Sequence, residues 1–453
     1  MDEALRARWI MLLRSLRPND PPPPELYVEP RHGCASSVAA DLLSDPAACR
    51  KFLLVGARGG GKSTELRAIA RKLSGRSTTI TIDLDASGIN ASSVSAFDLL
   101  YIAAVQILRR APADLAKPLF EKLKKCYAGE EAPALGDLRT SWDGLAQFAE
   151  VSGKVAVAMG GASVAAGVDI QDAAQYAEAV LAFGGAGLSQ IATGLRLRSE
   201  RAGVVAETSP MGRALQDVCT EIVQACRSVS QLPICVVIDG LEKMNGEAGE
   251  RFDQMFEQTR LLADTRWASV IAAPPCTLTE TNSADGRGFT TVPVWGFGPD
   301  DYEQLKKLLE WRLQAAGLDP DRDVEPGQLE RMAENSGGLP RHAVQIAYES
   351  VKRLMATGSP KILEQHVRAG IQVVAEQLGR GLNTEHLRIL GIVQARNLLP
   401  GEKEAATLFA DGRILAYPPT EESFLPRFEV HPLLVRDVQR FVRPEELLKQ
   451  PAT

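Results

Sequence analysis

The stretch FLLVGARGGGKSTEL, Phe52–Leu66, decides the fold expected for this 453-residue chain. Its first residues, Phe52–Val55, form an apolar run typical of a buried strand, and helix-forming residues begin at Lys62. The glycine loop between them satisfies the Walker A pattern G-x-x-x-x-G-K-[ST], which starts at Gly56 and ends at Ser63. A strand, a glycine loop and a helix in this order predict a phosphate-binding loop.

The residue types of this loop suit the phosphates of a nucleotide. Glycines adopt positive φ angles and let backbone N–H groups approach a phosphate without a Cβ in the way. The N-terminus of the following helix adds partial positive charge. We expect Lys62 to reach the β and γ phosphates of ATP and the Ser63 hydroxyl to bind Mg²⁺. The residues predicted to hold the nucleotide are Gly56, Ala57, Arg58, Gly59, Gly60, Gly61, Lys62, Ser63 and Thr64.

The composition is that of an ordinary globular protein, with 45% hydrophobic and 24% charged residues. A formal net charge of −6 argues against a protein that coats nucleic acid without sequence preference. The cysteines have no C-x-x-C spacing, so reduced thiols and a cytoplasmic location are expected. The N-terminus lacks the apolar core of a signal peptide, and no run of about 20 apolar residues predicts a transmembrane helix.

A second apolar run, Ile234–Glu242 (ICVVIDGLE), predicts a strand that is buried on both faces and ends in a carboxylate. Asp239 would lie beside the glycine loop if the two strands are neighbours in a parallel sheet. There it would hold Mg²⁺, which is the role of a Walker B aspartate. Glu242 is the nearby carboxylate placed to polarise a water molecule as a general base.

Further segments complete an alternating α/β pattern. Thr78–Leu84 is β-branched and alternating, which predicts a strand, and Val94–Leu108 predicts the crossover helix after it. Ala268–Ala273 and Thr290–Val294 predict two more strands, to which we assign a structural role only. The strand of the glycine loop is expected to lie between the strands on the Walker B side and an outer strand.

From Pro299 onward the pattern becomes helical, and one arginine there stands out. Pro340 suits the first turn of a helix over His342–Met355, which places Arg341 at that helix's N-terminus. A cation opposes the helix dipole at this end. We therefore expect Arg341 to sense a bound phosphate, with a plain surface arginine as the alternative.

The motifs GARGGGKSTEL, ICVVIDGLEK and SGGLPR, in this order and with an all-helical stretch after the sheet, resemble the AAA+ and STAND class of P-loop ATPases. The segment FEVHPLL resembles the strand that these proteins carry in a C-terminal winged-helix-like domain. The resemblance implies that Lys62 and Ser63 bind phosphate and Mg²⁺. It also implies that Asp239 holds Mg²⁺ and that Arg341 is the second sensor.

One residue departs from the AAA+ pattern. Gly240 stands where a catalytic glutamate usually follows the Walker B aspartate directly, which leaves Glu242 as the substitute. This departure favours a slow nucleotide switch over fast turnover. The predicted catalytic residues are Lys62, Glu242 and Arg341, and the predicted cofactors are ATP and Mg²⁺.

The predicted fold is α/β: an ASCE-type P-loop NTPase core, in which helices flank a parallel sheet, with a helical lid and a C-terminal winged-helix-like domain. The N-terminal helical arm and its proline linker occupy residues 1–24. The core occupies residues 25–298 and contains an insertion at about 112–205. The lid with the second sensor spans 299–380, and the winged-helix-like domain spans 381–453.

Three regions leave alternatives open. Residues 1–17 predict an amphipathic helix that either packs on the protein or binds a partner. Within the insertion, small apolar residues at 155–195 favour an interaction platform, with membrane contact as the alternative. The helix Thr384–Leu398 and the hairpin of Arg413–Tyr417 with Phe428–His431 predict a winged helix. Because acidic residues there balance basic ones, protein contact is favoured over DNA.

These inferences predict an ATP-binding, slowly hydrolysing ATPase that acts as a nucleotide-dependent switch through a protein partner or self-association. The alternatives are an ATP-bound scaffold without significant turnover and a DNA-associated ATPase.

Overall fold

The structure is a computed structural model that describes residues 1–17, 27–84, 94, 96–128, 210–243, 260–274, 288–419 and 425–441. The first described helices and strands are α1 (Glu3–Ser15), α2 (Ala35–Ser44), β1 (Lys51–Val55), α3 (Lys62–Leu73), β2 (Thr78–Asp83), α4 (Ala96–Leu108), α5 (Ala113–Ala128), α6 (Pro210–Ser230) and β3 (Ile234–Asp239). They are followed by α7 (Arg260–Ala263), β4 (Ala268–Ala273), β5 (Thr290–Pro293), α8 (Tyr302–Ala315), α9 (Pro320–Asp323), α10 (Gln328–Asn335), α11 (Pro340–Thr357) and α12 (Glu364–Gly379). The last ones are α13 (Thr384–Arg396), α14 (Lys403–Ala410), β6 (Ile414–Tyr417), β7 (Arg427–Val430) and α15 (Val435–Phe441).

Five strands form a parallel sheet in the order β2–β3–β4–β1–β5. The strand of the glycine loop, β1, lies between β4 and β5, so its predicted position beside an outer strand is confirmed. The condition under which Asp239 was placed beside the glycine loop, that β3 and β1 are neighbours, is not met, because β4 pairs with both strands through Ile271, opposite Leu53 on one side and Ile238 on the other. Local patterns predict strands but not their order, and β4 comes later in the chain than either neighbour.

Helices cover both faces of the sheet, which explains why the three central strands, β3, β4 and β1, are buried at nearly every position. Side chains alternate along β1, so Phe52 and Leu54 pack with α2 and α3, whereas Leu53 and Val55 pack on the opposite face with α4 and α6. The α/β class and the P-loop core with flanking helices are therefore confirmed.

Helix α5 belongs to this core, although it lies inside the predicted insertion at 112–205. Its Phe120 and Leu123 are buried with α4 and α6. The rest of that insertion, including the segment 155–195, falls outside the described residues up to Pro210.

The lid is a group of helices in which α11 packs along α12, and α8 packs on α10. Helix α1 joins them: Trp9 and Leu12 are buried in the same cluster as Leu309 and Leu354. Two side-chain hydrogen bonds also join the segment of α1 to the lid. Arg8 donates to the Gly317 carbonyl, and Arg312 donates to the Ser15 carbonyl. The buried face of α1 favours the packing interpretation of residues 1–17 over the partner-binding one.

The described C-terminal residues form α13, α14 and α15 around the antiparallel hairpin β6–β7. Leu390, Phe409 and Ile414 of this unit share one apolar cluster with the lid helices. Because this cluster is continuous and also contains Ala57 of the glycine loop, the C-terminal unit packs on the lid and next to the core. None of the helices in the described ranges is long and apolar enough to cross a membrane.

Candidate phosphate-binding site

The glycine loop joins β1 to α3 at the carboxyl edge of the sheet. Gly59 and Gly61 have φ angles of +85° and +103°, a region that L side chains rarely adopt, and Gly61 caps the N-terminus of α3. Ser63 and Thr64, in the first turn of α3, are half-buried. The loop therefore presents backbone N–H groups and a helix N-terminus at one point, as an anion site requires.

Lys62 lies inside the loop rather than on the surface. Its side chain is 4% exposed, and its Nζ donates to the carbonyls of Gly56 and Ala57 at 2.7 and 3.1 Å. Burial lowers the pKa of Lys62 to about 8, while the negative charges of Glu242 and Asp239 act in the opposite direction. A buried ammonium group in a glycine loop favours an anionic partner, because the charge is poorly solvated there.

Ser63 and Asp239, the two predicted Mg²⁺ ligands, are in contact. The Ser63 Oγ donates to the Asp239 Oδ1 at 3.1 Å, and the Gly240 N–H donates to the same oxygen at 3.0 Å. Burial raises the pKa of Asp239 to about 6, the charge of Glu242 adds to this rise, and the Ser63 hydrogen bond opposes it. The pair meets although β4 separates their strands, because α3 crosses from β1 over β4 and β3.

Glu242 reaches the same site from a turn that Gly240 makes. Gly240 has a φ angle of +99°, and a 3₁₀ turn over Leu241–Lys243 follows it. The half-buried Glu242 accepts a hydrogen bond from the Gly240 N–H through its Oε2 at 3.1 Å. A glutamate at position 240 would be strained at this φ angle. The glycine at position 240, where the usual motif has a glutamate, thus allows a backbone turn that brings the Glu242 carboxylate to the site.

Arg341 stands at the start of α11 and touches the loop directly. Its backbone N–H donates to the Gly59 carbonyl at 3.3 Å, and a Cβ on Gly59 would lie 2.6 Å from the Arg341 Cβ. Burial lowers the pKa of Arg341, and the neighbouring Arg58 lowers it further, whereas Glu242 raises it. Across the described ranges, neither of these two guanidinium groups is ion-paired with a carboxylate. Two adjacent arginines without an acidic partner favour a bound anion.

The C-terminal unit also reaches the loop, which the sequence pattern did not predict. The Arg58 N–H donates to the carbonyl of Ala410 at the end of α14, at 2.8 Å. A second contact joins the unit to the segment after β5, where the Gly296 N–H donates to the Ala416 carbonyl at 3.0 Å. Backbone groups make both contacts, so no residue type in the sequence could have indicated them.

Asp83 is a further carboxylate at this edge of the sheet. It ends β2 directly opposite Asp239 in the β2–β3 register, and its charge contributes to the raised pKa of Asp239. The sequence offered a signal for it, because Asp83 follows the alternating residues of one predicted strand and Asp239 follows the continuous apolar run of another.

No protein-family model matches this chain, and neither does any curated protein. Among solved structures, it is similar to the ADP form of the Aeropyrum pernix ORC2 protein, with 14% identity and a TM-score of 0.43 over 96% of this chain and 97% of that one. It is also similar to Drosophila ORC bound to DNA, with 11% identity and a TM-score of 0.39 over 98% and 93% of the two chains. A third similar structure is the Thermotoga maritima RuvB Holliday junction branch migration motor, with 12% identity and a TM-score of 0.35 over 89% and 92%. At these identities and TM-scores, the likenesses indicate no function.

Proposed function

We propose that this chain is an ATP-binding, slowly hydrolysing P-loop ATPase of the AAA+/STAND-like type, which acts as a nucleotide-dependent switch. One observation carries the proposal: the buried Lys62, the Ser63–Asp239 pair and Arg341, whose guanidinium has no carboxylate partner among the described residues, converge on one glycine loop. These groups come from the core and the lid. A nucleotide bound there would therefore join the two parts.

The residues at the site fit ATP and Mg²⁺ by the chemistry of their donors. The loop residues 56–64 supply backbone N–H groups for phosphate oxygens, and Lys62 and Arg341 supply positive charge. Ser63 and Asp239 supply the oxygen ligands that Mg²⁺ prefers. Mg²⁺ would offset the negative charge of the phosphate oxygens. Glu242 would orient and deprotonate the attacking water as a general base.

The contacts of Arg341 and Ala410 support a switch. Both parts that lie outside the core, the lid and the C-terminal unit, bond to the loop through its backbone. A ligand in the loop would change these contacts, and a protein partner or a second copy of the chain would detect the change. The placement of Glu242 two residues beyond the usual position supports slow turnover over fast turnover.

Two arginines of the described part of the hairpin, Arg413 and Arg427, do not support the DNA-associated alternative. Arg413 donates to the Arg380 carbonyl, and Arg427 pairs with Glu429 at 2.8 Å while its guanidinium lies 5.3 Å from the centre of the Tyr417 ring. Both arginines are thus engaged within the chain. A protein partner or self-association therefore remains the favoured proposal over DNA.

Glu242→Gln is expected to lower ATP turnover by about a hundredfold or more, because glutamine cannot accept the proton that a general base removes. Binding of ATP should persist, since the glutamine amide oxygen can still accept the Gly240 N–H. Phosphate release at steady state and equilibrium binding of a fluorescent ATP analogue measure the two effects. If Asp83→Asn abolishes turnover while Glu242→Gln does not, the base is assigned to the wrong carboxylate.

Background turnover in a wild-type protein that binds ATP would favour the scaffold alternative.

Arg341→Ala is expected to weaken ATP binding by about tenfold, which is the effect of one lost hydrogen bond to a charged group. Binding of ADP should weaken less, because a sensing arginine acts on the terminal phosphate. Titration calorimetry with both nucleotides measures the difference. Arg353→Ala, which removes an exposed arginine from the same helix, is the matched control and should leave both affinities unchanged. Equal losses for ATP and ADP would contradict a sensing role.

A further inference from the structure

Two buried histidines meet between the lid and the C-terminal unit. The Nδ1 of His342 and the Nε2 of His431 are 3.0 Å apart, and the rings meet edge to face with centroids 5.0 Å apart. His431 is fully buried, and His342 is 7% exposed. His342 directly follows Arg341 at the start of α11, whereas His431 follows β7.

The surrounding hydrogen bonds define the protonation of His431. The Leu433 N–H donates to the His431 Nδ1 at 3.3 Å, so this nitrogen carries no proton. The proton of the neutral ring is therefore on Nε2, which faces the Ser336 carbonyl at 3.1 Å and the His342 Nδ1 at 3.0 Å. Burial lowers the pKa of both histidines, which keeps both rings neutral at neutral pH.

His431 thereby holds one end of the turn Ser336–Arg341, whose sequence is SGGLPR. The hydroxyl of Tyr417, also in the C-terminal unit, donates to the Gly337 carbonyl in the same turn at 3.0 Å. The Gly338 carbonyl accepts from the Phe297 N–H at 2.9 Å. The turn ends at Arg341, whose N–H bonds to Gly59 of the glycine loop. Its path is thus fixed by the C-terminal unit at one end and by the phosphate site at the other.

We infer that His431 is a positioning residue for the phosphate site: it holds the turn Ser336–Arg341 so that Arg341 faces the glycine loop. Nucleotide affinity then depends on the docking of the hairpin β6–β7, without contact between His431 and the nucleotide. This inference rests on the proposed binding of ATP, whereas the positioning of the turn is measurable in the nucleotide-free protein.

Two substitutions at His431 separate its hydrogen bonds. His431→Asn places an amide near the position of Nδ1, which keeps an acceptor for Leu433 and removes the donor to Ser336. His431→Gln places an amide near Nε2, which keeps the donor to Ser336. We expect His431→Asn to weaken ATP binding by about tenfold, as for one lost buried hydrogen bond, and to speed amide exchange at residues 337–341, where only Pro340 has no N–H to exchange. We expect His431→Gln to restore most of both properties.

His366 provides a matched control. It is fully buried in α12, its Nδ1 accepts from the Leu363 N–H, and its Nε2 bonds to the Thr357 hydroxyl at 3.1 Å. His366→Asn should therefore lower the thermal unfolding midpoint as His431→Asn does, while ATP binding and exchange at 337–341 stay at wild-type values. An equal loss of affinity in His366→Asn, or wild-type affinity and exchange in His431→Asn, would overturn the inference.

The outcomes also separate this inference from the proposed function. If the wild-type protein binds no ATP, the proposed function fails, and exchange at 337–341 in the nucleotide-free variants still decides whether His431 positions the turn. If the wild type binds ATP and His431→Asn binds it equally, only the inference fails. Should His431→Asn not fold, Tyr417→Phe removes the other side-chain bond to the turn and is expected to change affinity and exchange in the same direction.

Discussion

Lys62→Ala is expected to weaken ATP binding by about a hundredfold, because hydrogen bonds to a charged group contribute roughly 1.5–3 kcal/mol and Lys62 would make more than one. The side chain is 4% exposed, so water cannot replace its contact with the phosphates. Burial lowers the pKa of Lys62 to about 8, so its buried positive charge destabilises the protein when no nucleotide is bound. Alanine removes this charge. We therefore expect the variant to remain folded. Titration calorimetry with MgATP measures the loss.

Lys51 provides the control, because it is a buried lysine at the start of β1, at the end of that strand away from the glycine loop. It is 3% exposed, burial lowers its pKa to about 8, and its Nζ donates to the carbonyls of Cys49, Thr265 and Trp267. Lys51→Ala should lower the free energy of unfolding and leave ATP affinity at the wild-type value. If Lys62→Ala binds ATP as tightly as the wild type, the phosphate site is assigned to the wrong loop.

Local sequence patterns were sufficient to identify the residues that the structure brings together at this site. The glycine loop, the carboxylate after β3 and the arginine at a helix N-terminus each follow from residue type and from neighbours within a few positions. Asp239 and Ser63 are in contact although β4 lies between β1 and β3. The contact forms because α3 crosses the sheet and packs on several strands besides its own.

The sequence could not predict contacts that backbone groups make between distant segments. The Arg58 N–H bonds to Ala410 across more than three hundred residues, and alanine's side chain carries no information about that carbonyl. The histidine pair was missed for another reason: His342 and His431 are single histidines without metal-ligand spacing. They become informative only when the hairpin is seen to pack on α11. The sequence motif presents Gly240 only as a missing glutamate, because its positive φ angle is a property of the folded chain.

Asp239→Asn is expected to stabilise the nucleotide-free protein at pH 8 by about 2–3 kcal/mol while it removes Mg²⁺-dependent turnover. Burial raises the pKa of Asp239 from 3.8 to about 6, and each unit of such a shift corresponds to about 1.4 kcal/mol. The folded state therefore holds the proton more tightly than the unfolded state does. The contribution of the carboxyl to stability is fully present below about pH 4 and is lost as the pH rises toward 6. Asparagine keeps an oxygen for Ser63 and carries no charge, so it avoids this loss.

Urea unfolding of the wild type and of Asp239→Asn from pH 4 to pH 8 tests the sign of this effect. The stability difference should be small at pH 4, grow as the pH rises to 6, and stay constant above it. Asp323→Asn is a control with the opposite sign, because Arg322 lowers the pKa of the Asp323 carboxyl. That variant should be less stable than the wild type at pH 8, and the difference should fade on acidification. If Asp239→Asn is instead the less stable protein at pH 8, the carboxylate stabilises the fold. That result would contradict the interpretation that the Asp239 carboxylate lowers the stability of the folded protein and is present because it binds Mg²⁺.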